Sequence, residues 1–190
     1  MIRNLVRIAA IVVIVAAILV VLGYAELLVW PTGNRASMAT TIPACDGRTV
    51  AEGFTYRIRD PKQGEVVAIH AARGAGEKIT PDRDARDLTL LLRIAAVPGD
   101  EIEARDGSVF VNGVKFDDTR TAAFPKVELG GEQYFVLGDN RSASVDSRTF
   151  GPVLRNAIFA RVLLVVWPLR DIGRVVDRQS GVPLGPTVCN

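Results

Sequence analysis

The chain has 190 residues and 48% of them are apolar, so it can bury a core, which excludes a disordered protein and a small disulfide-stabilised scaffold. Its 23 Lys and Arg residues against 21 Asp and Glu residues give a formal net charge of +2, and the basic residues are spread along the chain. Nucleic acid is therefore not an expected partner, because proteins that bind DNA or RNA collect their basic residues into one patch or stripe.

The N-terminus holds a long uncharged run. Residues Ile8–Leu22 are all aliphatic or alanine, and the run extends to Trp30 with a single acid, Glu26. About 20 helical residues cover the hydrocarbon core of a bilayer. Residues 1–30 therefore predict a short N-terminal segment and one transmembrane helix, with a lipid bilayer as an expected partner.

The charges before this run predict its orientation. Arg3 and Arg7 precede it and no acid does, so the positive-inside rule places the N-terminus in the cytoplasm and residues 31–190 outside the cell membrane. The alternative is a cleaved secretory signal, since Gly23–Ala25 resembles a small-x-small cleavage site. The bulky stretch Leu27–Trp30 directly after that site favours an uncleaved anchor.

Residues 31–190 predict a mostly β domain. From Phe54 onward, short β-rich runs alternate with turn residues, and no helical period stands out. Asp106-Gly107 and Asn112-Gly113 supply the positive φ of tight turns, so they predict consecutive hairpins. The stretch Ala71–Asp87 is rich in Gly, Pro, Asp and Arg and predicts a loop. The predicted strands are Phe54–Arg59, Glu65–Ala71, Leu88–Val97, Ser108–Phe116, Glu132–Leu137 and Ala157–Leu169.

Two cysteines, Cys45 and Cys189, both follow the predicted membrane helix. In an oxidising extracytoplasmic setting they can form a disulfide that ties the C-terminal tail to the start of the domain. Two free thiols are the alternative, and both interpretations stay open.

Two segments carry the candidate chemistry. Ser37 follows the predicted membrane helix closely, so a nucleophile there would attack a bond held at the membrane surface. The segment Gly138–Arg148 is strongly polar and comes directly after a predicted apolar strand. A structural turn is one interpretation of it.

The charges of this polar segment indicate a braced loop. Asp and Asn residues suit turns, and Arg141 and Arg148 can pair with Asp139 and Asp146. Such pairs would hold the loop in one conformation.

Ordered blocks behind the N-terminal run resemble the bacterial type I signal peptidases, which are membrane-bound serine endopeptidases that remove signal peptides from exported proteins. The resemblance covers nearly the whole chain. It implies the β-rich catalytic domain of that family, in which the hairpins of about residues 101–130 are a small inserted region. It also implies no cofactor or metal, and secretory preproteins with small-x-small signal peptides as substrates. Its blocks are Ser37-Met38 with Thr41-Ile42, Gly64–Ala68, Arg93–Asp100 and Gly138–Val153.

The resemblance also implies roles for single residues. Ser37 would be the acyl-forming nucleophile, with its own main-chain N–H in the oxyanion hole. Ser144 falls where the family has a serine that orients the general base. The remaining residues of the loop would support the base and the loop itself, and they are Asp139, Asn140, Arg141, Asp146, Ser147 and Arg148.

One position departs from the family pattern. The base of the family is a lysine directly before the arginine of a Lys-Arg-x-x-x-x-Pro-Gly-Asp block, and counting back from Pro98-Gly99-Asp100 puts this position at Leu92. Leucine cannot accept a proton. Arg93 stays protonated, so it can pair with an acid but cannot deprotonate Ser37.

Two other side chains are candidate substitutes for the base. His70 has a pKa in the right range, but it lies on an earlier predicted strand than Leu92. Lys78 lies in the predicted loop, and its pKa would have to fall by several units to act at neutral pH. The sequence therefore leaves two functions open, either a signal peptidase-like serine endopeptidase at the outer membrane face, or a relative that binds signal peptides or a membrane partner without cleaving.

Overall fold

The computed structural model describes residues 2–24, 28–31, 36–42, 47–73, 78–84, 88–169 and 172–175. The remaining positions include Arg35, Cys45 and Cys189, so the prediction about the cysteine pair lies outside the described residues.

The N-terminal run forms one helix, α1 (Ile2–Tyr24), of 23 residues. Over the described part of the chain, no helix is long and apolar enough to cross a membrane. The predicted transmembrane helix is therefore not supported by the structure.

The rest of the described chain is mostly β, as predicted. Two short helices, α2 and α3, interrupt the strands. The bounds of these elements are β1 (Leu28–Pro31), β2 (Arg48–Glu52), α2 (Thr55–Ile58), β3 (Val66–Arg73), β4 (Ile79–Pro81), β5 (Leu88–Ala96), β6 (Glu101–Arg105), β7 (Ser108–Val111), β8 (Val114–Lys115), β9 (Phe124–Glu128), β10 (Gln133–Leu137), α3 (Ser147–Phe150), β11 (Val153–Leu154), β12 (Ile158–Trp167) and β13 (Gly173–Arg174).

A large antiparallel sheet forms the body of the domain. Its strand order is β1-β2-β12-β3-β5-β10-β11, with β13 paired to β12 and β4 paired to β3. β5 is an inner strand, so its alternate side chains are buried on opposite faces. Leu91 packs in one apolar cluster with Met38, whereas Leu92 packs in another with Val136.

A second sheet, with the order β8-β7-β6-β9, is inserted between β5 and β10. Its two hairpin turns confirm the turn prediction, since Asp106 and Asn112 have φ of 53° and 51° and each precedes a glycine with positive φ. Positive φ at both central residues is the signature of a type I′ hairpin turn. Ile102 of this sheet shares an apolar cluster with Phe135 of β10, so the two sheets have a common core.

Two local predictions were wrong. The stretch Phe54–Arg59 forms the single turn of α2 rather than a strand, because the Glu52 carboxylate accepts a hydrogen bond from the Thr55 N–H at 2.8 Å and the chain turns there. The predicted loop Ala71–Asp87 contains the strand β4, which pairs with the extended end of β3. The turn-forming residues of this stretch show no strand pattern. The strand β4 forms because β3 supplies its main-chain hydrogen-bond partners, and a local sequence pattern does not show such a partner.

A buried carboxylate fastens α2 to the start of β3. Glu65 accepts hydrogen bonds from the Tyr56 hydroxyl and from the Lys62 N–H, both at 3.0 Å, and pairs with Arg59 and Arg161. Burial by itself raises the pKa of this carboxyl, but the hydrogen bonds from Arg59 and Lys62 and the charge of Arg161 outweigh burial and lower the pKa below its usual value. The carboxylate is thus held in its charged form.

We expect Glu65→Gln to lower the free energy of unfolding by about 2 kcal/mol at neutral pH, because charged hydrogen-bond partners lose their acceptor. A lowered pKa in the folded state stabilises the protein above the pKa of the unfolded state, and this stabilisation is lost as the pH falls through the folded-state pKa. We measure the free energy of unfolding with urea between about pH 3 and pH 7. As the pH falls, this free energy should decrease less in Glu65→Gln than in the unaltered protein. Glu128→Gln, at an exposed position on β9, is the matched control. Equal acid losses in Glu65→Gln and the unaltered protein would contradict this prediction.

Candidate functional site

Ser37 lies on a short 3-10 turn formed by Ala36–Met38. The turn is anchored by the next side chain, since Met38 is fully buried and packs in the same apolar cluster as Leu91. Ser37 itself is half-buried. The buried methionine therefore fixes the turn against the sheet and leaves the serine at its edge.

Asn140 holds this turn from the polar loop. Its main-chain N–H donates to the Ser37 carbonyl at 2.9 Å, and its side-chain Nδ2 donates to the Ala36 carbonyl at 2.9 Å. The Asn140 Oδ1 in turn accepts from the Ser142 hydroxyl at 2.9 Å. The structure thus brings together two segments that lie about one hundred residues apart in the sequence.

Asp139 joins the serine turn to β5. Its carboxylate accepts from Arg93 Nε at 2.8 Å and from Arg93 Nη2 at 2.6 Å, and it also accepts from the Thr41 hydroxyl. Arg93 Nη1 donates to the Gly64 carbonyl at 2.7 Å. Arg93 is only 3% exposed, so this bidentate pair neutralises a buried cation directly beside the site.

Asp146 and Arg148 form an ion pair at the other end of the loop. The fully buried Asp146 accepts from Arg148 Nε at 2.8 Å and from the Gly138 N–H at 3.0 Å. Ser147 contributes through its hydroxyl, which accepts from the Val136 N–H at 2.9 Å. These contacts tie the loop back to the end of β10.

Arg141 does not take the partner that the sequence predicted. Its guanidinium pairs with Asp117 of the inserted region instead of Asp139, and its Nε donates to the Gly138 carbonyl at 2.9 Å. The reason is that Asp139 is already occupied by Arg93 from the large sheet. Arg141 therefore connects the loop to a different part of the molecule.

Gly138 is the point where the parts of the site meet. A Cβ atom placed on Gly138 would lie 2.2 Å from the Ser144 Oγ and 2.6 Å from the Ser37 carbonyl oxygen. Only glycine permits this approach. The Ser144 Oγ is buried there and has no hydrogen-bond partner among the described residues.

Leu92 lies on β5 next to Arg93. Leu137 of β10, the residue before Gly138, is paired with Arg93. Leu92 is fully buried in the apolar cluster that contains Val136, whereas Met38 of the serine turn packs in the cluster that contains Leu91. The position predicted for the base thus holds a buried apolar side chain on the strand that pairs with the end of β10.

His70 lies elsewhere on the sheet. It pairs with Thr89, three residues along the ladder from the pair Val67 and Leu92, which corresponds to about 10 Å. By alternation its side chain is on the opposite face from Leu92, where its ring stacks on Phe159 with 3.9 Å between the centroids.

The lysines of the chain are all on the surface. There are four of them, and each is exposed: Lys62, Lys78, Lys115 and Lys126.

The arrangement holds the main chain of Ser37 and the buried hydroxyl of Ser144 together against Gly138. Sequence reasoning identified the two serines and the loop, but it missed Thr41 as a partner of Asp139 and Asp117 as a partner of Arg141. Both are short polar residues far from the loop in sequence, and no local pattern could have connected them to it.

Comparison with known proteins bears on this site. The sequence pattern of the signal peptidase family, peptidase S26, matches residues 2–167. A probable signal peptidase I-2 of Synechocystis is 34% identical over 158 residues, which are 80% of this chain and 69% of the relative. A mitochondrial ATP-independent inner membrane protease subunit 1b of Arabidopsis thaliana is 32% identical over 151 residues, which are 80% of this chain and 72% of the relative.

A solved structure is also similar. The crystal structure of a signal peptidase I from Enterococcus faecalis V583 aligns with a TM-score of 0.41 and 24% sequence identity. The alignment covers 53% of this chain and 94% of that one.

Gly138→Ala tests the close approach at the centre of the site. The added methyl group would overlap the Ser144 hydroxyl and the Ser37 carbonyl, so we expect a loss of about 1–3 kcal/mol in the free energy of unfolding and displacement of the serine turn. Urea unfolding measures the first effect, and amide hydrogen exchange at Asn140 measures the second. Gly131→Ala is the matched control, because a Cβ there meets nothing within 4 Å. Equal stability of the two variants would contradict the close approach.

Proposed function

Because this chain belongs to the signal peptidase family, peptidase S26, we propose that it acts on the signal peptides of exported preproteins with Ser37 as its nucleophile. The observation that carries this proposal is the meeting of the Ser37 turn with the buried hydroxyl of Ser144 at Gly138. A buried hydroxyl without a partner costs about 1–3 kcal/mol, so the Ser144 hydroxyl is available to bind an incoming group.

The chemistry of such a site is acyl transfer. The Ser37 Oγ attacks the carbonyl carbon of the scissile peptide bond while a base takes its proton, and main-chain N–H groups stabilise the oxyanion. The proton passes to the leaving amine, and water then hydrolyses the acyl ester by the same steps in reverse order. A positioned base contributes about 10²–10⁴-fold to such a reaction.

Cleavage by this chain requires a general base for Ser37. At Leu92 the chain offers no proton acceptor, so hydrolysis by the unaltered chain needs a base from another position. His70 is the remaining candidate with a pKa in the right range, and reaching Ser37 would require it to leave its stack on Phe159.

A second candidate function is recognition without cleavage. It is favoured by Leu92, whose fully buried, apolar side chain stands at the position where the family resemblance predicts the lysine base. In this case the chain binds signal peptides, or a membrane protein, and leaves them intact.

We further propose that the N-terminal segment, residues 1–30, holds the domain at the cell membrane as a single-pass anchor, with the N-terminus in the cytoplasm and the catalytic domain outside. The support is the surface of α1, where large aliphatic side chains are uncovered: Ile8 is 62% exposed, Val13 67% and Leu19 64%. An apolar surface of this kind is stable when lipid rather than water covers it. Two arginines before the run, Arg3 and Arg7, favour the cytoplasmic side for the N-terminus.

The expected substrates are extended peptides held near the membrane. By the family resemblance, the side chains at the first and third positions before the cut are small. Preproteins with small-x-small signal peptides are therefore the substrates to test.

The decisive measurement is cleavage of a purified preprotein in detergent by the unaltered chain, Ser37→Ala, Leu92→Lys and Leu92→Met. We expect Leu92→Lys to cleave about 10²–10⁴-fold faster than the other forms, because its amine becomes the missing base. Leu92→Met is the matched control, since its unbranched side chain resembles the lysine stem but carries no amine.

The outcomes separate the two candidates. Cleavage by the unaltered chain but not by Ser37→Ala establishes the endopeptidase, and His70→Ala then tests the base. Cleavage by Leu92→Lys alone, with the unaltered chain binding the signal peptide, establishes recognition without cleavage. A chain that neither binds nor cleaves the signal peptide in any form contradicts both functions.

The pH profile of Leu92→Lys provides a second check. Burial in an apolar cluster disfavours the charged amine and lowers the pKa of a lysine, so that the neutral base is present near neutral pH. The rate should therefore rise with pH through this lowered pKa and then level off. A rate that still increases above about pH 10 would indicate a solvated lysine and contradict the placement of position 92.

A further inference from the structure

We propose that Asp117, in the inserted region, is a positioning residue for the Ser37 site and that it acts through Arg141. Asp117 lies between β8 and β9 of the small sheet and is not part of the polar loop. Its connection to the site is a chain of contacts from Asp117 to Arg141, from Arg141 to Gly138, and from Gly138 to the two serines.

The first contact is an ion pair in a nearly buried place. The Arg141 side chain is 2% exposed and that of Asp117 is 12% exposed. Arg141 Nη2 donates to one carboxylate oxygen of Asp117, and Nη1 lies 3.4 Å from the other. Asp117 therefore supplies the negative charge that allows Arg141 to be buried.

The second contact fixes the main chain of Gly138. Its carbonyl accepts from Arg141 Nε at 2.9 Å, and its N–H donates to Asp146 at 3.0 Å. The residue is thus held from both sides. Because Ser144 Oγ and the Ser37 carbonyl both pack against Gly138, a shift of its main chain changes their relative position.

A neighbouring contact joins the same region to the loop independently. Arg148 Nη1 donates to the Thr121 hydroxyl at 3.1 Å, while its Nη2 donates to the Arg141 carbonyl at 2.8 Å. The segment that contains Asp117 is itself ordered, since Thr119 N–H donates to Asp117 Oδ1 at 3.0 Å and Thr121 N–H donates to the Gly107 carbonyl at 3.1 Å. The inserted sheet is therefore attached to the site by two arginines rather than only adjoining it.

Removal of the Asp117 charge should loosen the site locally. Arg141 would keep a buried charge without its carboxylate, and its guanidinium would move toward other acceptors or water. Gly138 then loses the donor on its carbonyl. The large sheet does not depend on this contact, so its strands should stay closed.

The test compares Asp117→Asn with Asp118→Asn. Asp118 is the next residue, its side chain is 96% exposed and it pairs with Lys115 on the surface, so it is a matched control of the same chemistry. We expect amide exchange at Gly138 and Asn140 to become about tenfold faster in Asp117→Asn, with exchange at Val67 and Ile94 in the large sheet unchanged. Asp118→Asn should exchange like the unaltered chain, and Asp117→Glu should restore slow exchange.

Unchanged exchange at Gly138 and Asn140 in Asp117→Asn would overturn the proposal. So would faster exchange that extends equally to Val67 and Ile94, because it would indicate a general loss of stability. The activity test rests on the proposed function: in whichever form cleaves a preprotein, Asp117→Asn should lower kcat about tenfold with KM nearly unchanged. A local change in exchange while no form binds or cleaves supports the role of Asp117 and contradicts the proposed function, so the two failures are distinguishable.

Discussion

The close approach of main chains at Gly138 is the constraint on which the site depends. Ser37 belongs to a segment near the N-terminus, and Ser144 belongs to a loop in the last third of the chain. They meet because the residue at the end of β10 has no side chain, so the Ser144 hydroxyl and the Ser37 carbonyl can occupy the space of its missing Cβ. Any other residue at this position would separate the two segments.

Three ion pairs surround this point, and each joins a different part of the molecule to the polar loop. Arg93 brings β5 to Asp139, Arg148 closes the loop on Asp146, and Asp117 brings the inserted region to Arg141. Buried ion pairs contribute little net stability, because desolvation offsets most of the attraction. Their consequence here is geometric: each charge has one partner at a fixed place, so the loop has few alternative conformations.

Because Leu92 is apolar, the site has its loop and turn in place but has no base at this position. The turn, the loop and the buried hydroxyl of Ser144 are assembled without a proton acceptor at this position. An amine there would be desolvated by the same cluster that contains Val136, which is the environment that lowers the pKa of a lysine. The surrounding structure is therefore compatible with a base at position 92, and the present side chain is not one.

Local patterns determined much of the fold. The paired turn dipeptides at Asp106 and Asn112 predicted the hairpins, because positive φ is a property of single residues and needs no tertiary partner. Five of the six runs predicted as strands contain strands of the structure, namely β3, β5, β7, β10 and β12, because an apolar run is also a local property of the sequence. The strand predicted at Phe54–Arg59 was wrong since a single contact, from Glu52 to the next turn, decided between two local conformations.

The sequence by itself predicted which residues carry the chemistry: Ser37, the polar loop with Ser144, and Leu92 in place of a lysine. Only the tertiary structure decided how they are held. Asp139 pairs with Arg93 and not with Arg141, and Arg141 reaches Asp117, because ion pairs form between groups that folding brings close, and this distance is unrelated to separation along the chain. The role of Gly138 is also decided by the tertiary structure, because the absence of a side chain matters only where Ser37 and Ser144 pack against this residue.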